Sequence, residues 1–173
     1  ILKHYLDGIQ FALGDLEADA RPSAQLTEAD VQASIAQGQA YALADSVKKM
    51  QAALPDKPTV EPKAPRKVLV FNLCTGFVHS SIPLAASTMK MMGEKTGAYE
   101  TVLSEDIGIF TKEGLAPFDA IIMNNTTGNF FTEPVHRQAL LDFVTSGKGL
   151  VGIHAATDCA YDWPEYGELI GGY

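Results

Sequence analysis

Two histidines follow apolar runs at positions where a catalytic or ligand-binding side chain is expected. His79 lies in the polar segment 72–81, and His154 follows the apolar segment 149–153. Imidazole takes up and releases protons near neutral pH, so the two side chains could act as acid and base on one substrate. Asp158 could orient one of the rings. Alternatively, His79 and His154 could be ligands of one divalent metal such as zinc.

The residues around His154 are small, namely Gly152 and the alanines at 155–156. Small neighbours permit a sharp turn from a strand into a helix, and the layout is similar to a nucleophile elbow that presents imidazole instead of serine or cysteine. The two cysteines, Cys74 and Cys159, are more typical of buried, unreactive thiols than of nucleophiles. An elbow mechanism based on cysteine is therefore not expected.

Amides, hydroxyls and aromatic rings near the same predicted strand ends could bind a sugar. The segment 124–128 offers hydrogen-bonding groups for sugar hydroxyls, although the same residues fit a simple turn equally well. The aromatic residues of segment 161–166 could stack on a sugar ring, or they could cover the protein core. The candidate substrate-binding residues are Phe77, Asn124, Asn125, Thr126, Thr157, Trp163 and Tyr166.

Apolar runs alternate with helical patterns in the second part of the chain, and they predict the elements that carry these residues. Strands are predicted over 67–73, 99–104, 119–124 and 150–154. Helices are predicted over 83–96 and 133–146, between the strands. This order predicts an α/β fold with a parallel sheet and helices on both faces, because the central strands are apolar throughout. Ligands of such sheets bind at the carboxyl ends of the strands.

A proline-rich segment divides the chain into two parts. Residues 57–66 hold three prolines among charged residues, which indicates an extended linker. Before it, residues 1–56 carry two helical patterns, a short one and one that runs from Thr27 to about Leu54. They are interpreted as a helical hairpin that packs on the second part, or as the last piece of a preceding helical domain. Residues 67–173 form the α/β domain.

The net charge argues against nucleic acid as a partner. Lys and Arg number 13 against 21 Asp and Glu, a formal charge of −8 that would repel phosphates. No run approaches the roughly 20 apolar residues that span a bilayer. Two cysteines without a disulfide or metal-binding spacing favour a reducing compartment such as the cytoplasm, and because the chain does not start with Met, the sequence leaves targeting open.

Several short motifs together resemble the trehalose-utilisation (ThuA-like) family. They are KVLVF at 67–71, GFVHSSI at 76–82, GLVGIHAATD at 149–158, WPEY at 163–166 and GGY at 171–173. The motifs occur in the family's order over about residues 66–173, and HAATD is the most specific of them.

The resemblance implies a flavodoxin-like fold of the class I glutamine amidotransferase type, with His154 where amidotransferases carry the elbow cysteine. It implies a role in the utilisation of trehalose or a related glycoside, and a C-terminal part of the domain beyond Tyr173. The expected partner is a small carbohydrate. A second copy of the chain, or further domains of a longer chain, are other expected partners. The alternative function is a non-catalytic carbohydrate-binding or interaction module. The family's polar pocket corresponds to His79, Asn124, Thr126, His154 and Asp158.

Overall fold

The computed structural model describes residues 44–172 of the chain. The helical hairpin predicted within residues 1–56, including the helix start at Thr27, therefore lies outside the described residues except for its last part. That part contains helix α1 over residues 44–53, and residues 54–66 contain neither helix nor strand. Lys95 joins this segment to the domain through an ion pair with Asp56 and a hydrogen bond to the carbonyl of Leu54.

Within residues 44–172, four strands form one parallel sheet in the order β2-β1-β3-β4. The strands are β1 (Lys67–Phe71), β2 (Glu100–Ser104), β3 (Ala120–Asn124) and β4 (Gly149–Ile153). This is the order of the first four strands of a flavodoxin-like sheet. The predicted α/β fold is confirmed, and the predicted strand bounds differ from the observed ones by at most two residues.

Both faces of the sheet are covered, because alternate residues of a strand point to opposite faces. On one face, Val68 and Val70 of β1 pack in a cluster with helix α2, while Leu69 and Phe71 pack in a larger cluster on the other face. The helices that supply these clusters are α2 (Ile82–Thr96) on the first face and α3 (Lys112–Leu115), α4 (Pro134–Thr145) and α5 (Pro164–Ile170) on the second. The predicted helices on both faces are therefore present.

Helix α5 was not among the predicted helices. Its sequence does carry the usual signals of a short helix, since Pro164 occupies the first turn and Gly171 ends the helix with φ of +92°. Trp163 and Tyr166 consequently face the core rather than the surface. No helix among residues 44–172 has the length and apolar character needed to cross a membrane.

Candidate active site

Three loops meet at the carboxyl ends of neighbouring strands. They follow β1, β3 and β4 and contain residues 72–81, 125–128 and 154–158. From β1 the chain continues to β2 at one edge of the sheet, and from β3 it continues to β4 at the opposite edge. The strand order therefore reverses between β1 and β3. Such a switch point opens a crevice where ligands of α/β sheets bind.

The two histidines lie side by side above this crevice. The ring centroids of His79 and His154 are 4.7 Å apart, and their planes meet at 64°. Phe77 packs on the other side of His79 with a centroid distance of 4.9 Å. His154 is exposed and His79 is half-buried. Although 75 residues separate them in the chain, both imidazoles can therefore reach one bound molecule.

The backbone of His154 has the strained turn that its small neighbours predict. Its φ is +49°, a region that non-glycine residues rarely adopt, and a 3₁₀ turn (His154–Thr157) follows at once. A Cβ on Gly152 would lie 2.6 Å from Cδ1 of Ile170 and 3.2 Å from Cβ of Ala156. The small side chains thus let the strand end close to α5 and lift the imidazole above the sheet.

The loop after β3 ties the two histidine loops together. The hydroxyl of Thr127 donates to the carbonyl of Phe77 at 2.7 Å, and the Thr127 carbonyl accepts from the amide of Thr75 at 2.9 Å. On the opposite side, the amide of Gly128 donates to the carbonyl of Asp158 at 2.9 Å. The distance between the imidazoles is therefore set largely by residues 127–128.

Three asparagines form a buried hydrogen-bond chain below the crevice. The Asn125 amide donates to Asn124, whose own amide donates to Oδ1 of Asn72 at 2.8 Å and to the carbonyl of Ile82 at 3.2 Å. Asn124 and Asn125 are 0 and 3% exposed, and Thr126 is also fully buried. In this structure the three side chains are buried and the amides of Asn124 and Asn125 hold the loops in place, and their contact with a sugar stays a prediction.

Trp163 and Tyr166 are also unavailable to a sugar in this structure. They are 4 and 0% exposed, and both rings pack against Phe131 in the core. The Tyr166 hydroxyl donates to the carbonyl of Ala156 at 2.7 Å, which holds the turn after His154. In this structure both rings cover the core, which favours the core interpretation of these two residues, and the stacking role stays a prediction.

An exposed tyrosine of segment 161–166, which was not among the candidate substrate-binding residues, contacts Asp158. The hydroxyl of Tyr161 donates to Oδ1 of Asp158 at 2.8 Å, and no hydrogen bond joins Asp158 to either histidine among residues 44–172. Asp158 and its neighbour Thr157 are exposed. The expected orienting role of Asp158 is therefore not seen. The signal for Tyr161 was its spacing of three residues from Asp158. We call His79, His154, Asp158 and Tyr161 the histidine rim.

An ion pair fixes the segment that carries Tyr161. Arg137 of α4 pairs with Asp162 at 2.7 Å, donates to the carbonyl of Phe131 at 2.6 Å and stacks over the Trp163 ring. The Arg137 guanidinium holds the pKa of Asp162 below its usual range. These contacts restrict the backbone next to Tyr161, whose hydroxyl donates to Asp158.

The thiol of Cys159 is expected to be unreactive. Cys159 is fully buried, and burial raises its pKa to about 11, although hydrogen bonds with Thr126 and Tyr166 act in the opposite direction. Only the thiolate is nucleophilic, and at pH 8 its fraction is about one in a thousand for such a pKa. We expect iodoacetamide to label Cys159 in the folded protein at least about a hundredfold more slowly than in urea.

Mass spectrometry of the two cysteine peptides gives both rates in one experiment. Cys74, which is half-buried and donates to the carbonyl of Asn125, is the internal control. Equal labelling rates for Cys159 in the folded and unfolded protein would contradict the assignment of Cys159 as an inert core residue.

The candidate metal ligands do not form a complete set. A zinc site needs at least three protein ligands, and His79 and His154 supply two. Among residues 44–172, no group of three His, Cys, Asp or Glu side chains could hold a metal ion. The described side chains therefore do not fit a zinc centre, and we assign no step to a metal.

Comparisons with known proteins place residues 67–173 in one family. The model of the ThuA family, described as trehalose utilisation, matches these residues. A solved structure described as ThuA-like, from Bacteroides uniformis ATCC 8492, is 26% identical with a TM-score of 0.49, over 64% of this chain and 46% of that chain. The chain thus spans less than half the length of that protein. No curated protein matches. Because the family match covers well over half of its residues, the chain belongs to the ThuA-like, trehalose-utilisation family.

Proposed function

We propose that the histidine rim binds a sugar and catalyses proton transfer on it. The observation that carries the proposal is the 4.7 Å separation of the His79 and His154 rings at the carboxyl edge of the sheet. The family's description, trehalose utilisation, suggests the class of substrate. Two imidazoles at one rim can serve the same substrate, one as general base and the other as general acid.

The rim offers separate groups for chemistry and for binding. One imidazole removes a proton from a water molecule that attacks the anomeric carbon, while the other protonates the glycosidic oxygen as its bond to that carbon breaks. Oδ1 of Asp158 accepts from Tyr161, which leaves its second oxygen to accept from another hydroxyl of the sugar. Phe77 and Tyr161 are 70 and 63% exposed, so a bound sugar can contact both side chains.

The same geometry disfavours glutamine hydrolysis. That chemistry uses a thiolate at the elbow, whereas this elbow presents His154. Cys159 lies five residues later, is fully buried and keeps its proton at neutral pH. The amidotransferase-like fold is therefore combined with an imidazole-based site.

A second candidate is a carbohydrate-binding or interaction module without catalysis. Phe77 and Val78, at the tip of the loop after β1, are 70 and 66% exposed. Exposed apolar side chains at a crevice are typical of surfaces that bind a ligand or a protein. Such a surface would retain affinity for a sugar without the imidazoles.

The test measures binding and turnover separately in the full-length protein. Calorimetry with trehalose and other neutral disaccharides gives affinity, and NMR of the same mixtures detects new sugar species. Binding with turnover supports the enzyme. Binding that survives His79→Ala and His154→Ala, without turnover in the wild type, overturns catalysis and supports the module. Absence of both binding and turnover overturns the enzyme and the carbohydrate-binding module.

A further inference from the structure

A cavity opens at the same edge of the sheet, on the side of β1 away from the histidine rim. It measures about 500 Å³, which is within the range of ligand sites. Its walls come from the ends of β1 and β2 and the first turns of α2. We infer that this cavity binds one ring of a neutral, unphosphorylated sugar. The residues used in the argument are Asn72, Pro83, Ser87, Leu103, Ser104 and Glu105.

The polar groups of the cavity match sugar hydroxyls. The exposed carboxylate of Glu105 makes no hydrogen bond or ion pair with any residue in the part of the chain described, so it can accept from two hydroxyls. The Ser104 hydroxyl accepts from the amide of Asp106 at 3.1 Å and keeps its own proton for donation. Ser87 adds a further hydroxyl. Together they provide both donors and acceptors, as a polyhydroxylated ligand requires.

Asn72 supplies a fixed polar group at the base of the cavity. It is 92% buried by the surrounding chain, its Oδ1 accepts from Asn124, and its Nδ2 has only a long contact of 3.4 Å with the carbonyl of Val70. An amide nitrogen has two protons to donate. One of them remains available to a ligand oxygen, and the bond from Asn124 keeps the amide in place.

The apolar wall and the charge of the cavity narrow the ligand class. Leu103 is 43% exposed on β2 and, with Pro83, offers a surface for the C–H face of a sugar ring. The residues lining the cavity include no Lys, Arg or His, while Glu105 carries a negative charge. A phosphorylated sugar would be repelled, so the recognised ring is neutral.

The cavity is separate from the histidine rim. It lies at the ends of β1 and β2, whereas His154 and Asp158 follow β4, which is three strand spacings, or roughly 14 Å, from β2. Binding in the cavity therefore does not depend on the proposed function of the rim.

The test is a titration of the ¹⁵N-labelled full-length protein, followed by NMR, with trehalose and trehalose 6-phosphate. At about 20 mM trehalose, enough to fill a site of millimolar Kd, we expect shifts in the Asn72 side-chain amide and in residues 103–105. Glu105→Gln is expected to weaken binding about tenfold, as is typical of losing a hydrogen bond to a charged group. Ser87→Ala is a second, milder variant. Glu113→Gln, an exposed acid on α3, is the matched control and is expected to change nothing.

The outcomes separate this inference from the proposed function. Shifts confined to the rim, or no shift at all, overturn the cavity site. Binding of trehalose 6-phosphate as tight as that of trehalose overturns the inference that the ligand is a neutral sugar. Shifts in the cavity that Glu105→Gln weakens, with no shift at His79 and His154, support the cavity site and count against the proposed function. Unchanged affinity in both Glu105→Gln and Ser87→Ala overturns the assigned contacts.

Discussion

Replacing His154 by alanine is expected to lower the turnover of the sugar at least about a hundredfold, because a positioned acid or base typically contributes that much or more. The imidazole is exposed, so its removal is expected to leave the free energy of unfolding nearly unchanged. The two effects are measured by a turnover assay and by urea denaturation of the same sample. A catalytic role thus predicts a loss of rate without a loss of fold.

The matched variant is His154→Asn. Asparagine tolerates the positive φ of +49° at this position better than most residues and keeps a polar side chain, but it cannot transfer a proton near neutral pH. We therefore expect His154→Asn to bind trehalose as tightly as the wild type and to be as inactive as His154→Ala. If either variant keeps more than about a tenth of the wild-type rate, His154 is not the acid or base.

Much of the fold follows from local pattern. The run Val68–Leu69–Val70–Phe71 is apolar at every position and becomes a strand buried on both faces. The meeting of His79 and His154 could be predicted because parallel strands end at one edge of the sheet. The turn at His154 could be predicted as well, since only small side chains permit it.

The directions of individual side chains near the site could not be predicted from residue type. Thr126 and Thr127 are chemically identical neighbours, yet Thr126 accepts from the buried Cys159 while Thr127 holds the carbonyl of Phe77. Their side chains alternate because the backbone continues the sheet there, with a bridge from Cys74 to Thr127. That continuation depends on contacts between distant segments, which a local pattern does not contain.

Contacts between distant segments also explain why Tyr161 is exposed while Trp163 and Tyr166 are buried. Trp163, directly before α5, and Tyr166, within it, face the core because α5 packs on the sheet, whereas Tyr161 lies two residues before Trp163 and stays exposed. All three side chains have similar stacking surfaces. Only the packing of α5 and of the residue before it distinguishes them, and residue type does not predict that packing.

Among the substitutions discussed, Gly128→Ala is expected to lower the free energy of unfolding the most, by about 3 kcal/mol or more. Gly128 has φ of +85°, which alone costs an alanine about 1–2 kcal/mol. Its Cβ would also lie 2.5 Å from the Thr75 hydroxyl and 2.7 Å from the amide nitrogen of Gly76. The second of these atoms belongs to the backbone, so the loop after β1 must move. Urea denaturation measures the loss.

Gly147→Ala separates the cost of a positive φ from the cost of the steric clash. Its φ of +94° is similar, but nothing lies within 4 Å of the added Cβ, so only the backbone cost of about 1–2 kcal/mol is expected. Because Gly128 lies between the loops of the two histidines, Gly128→Ala should also lower turnover in the protein that remains folded, whereas Gly147→Ala should not. Equal losses of stability in the two variants would show that the loops after β1 and β3 are not packed as described, and would remove the basis for the placement of His79 beside His154.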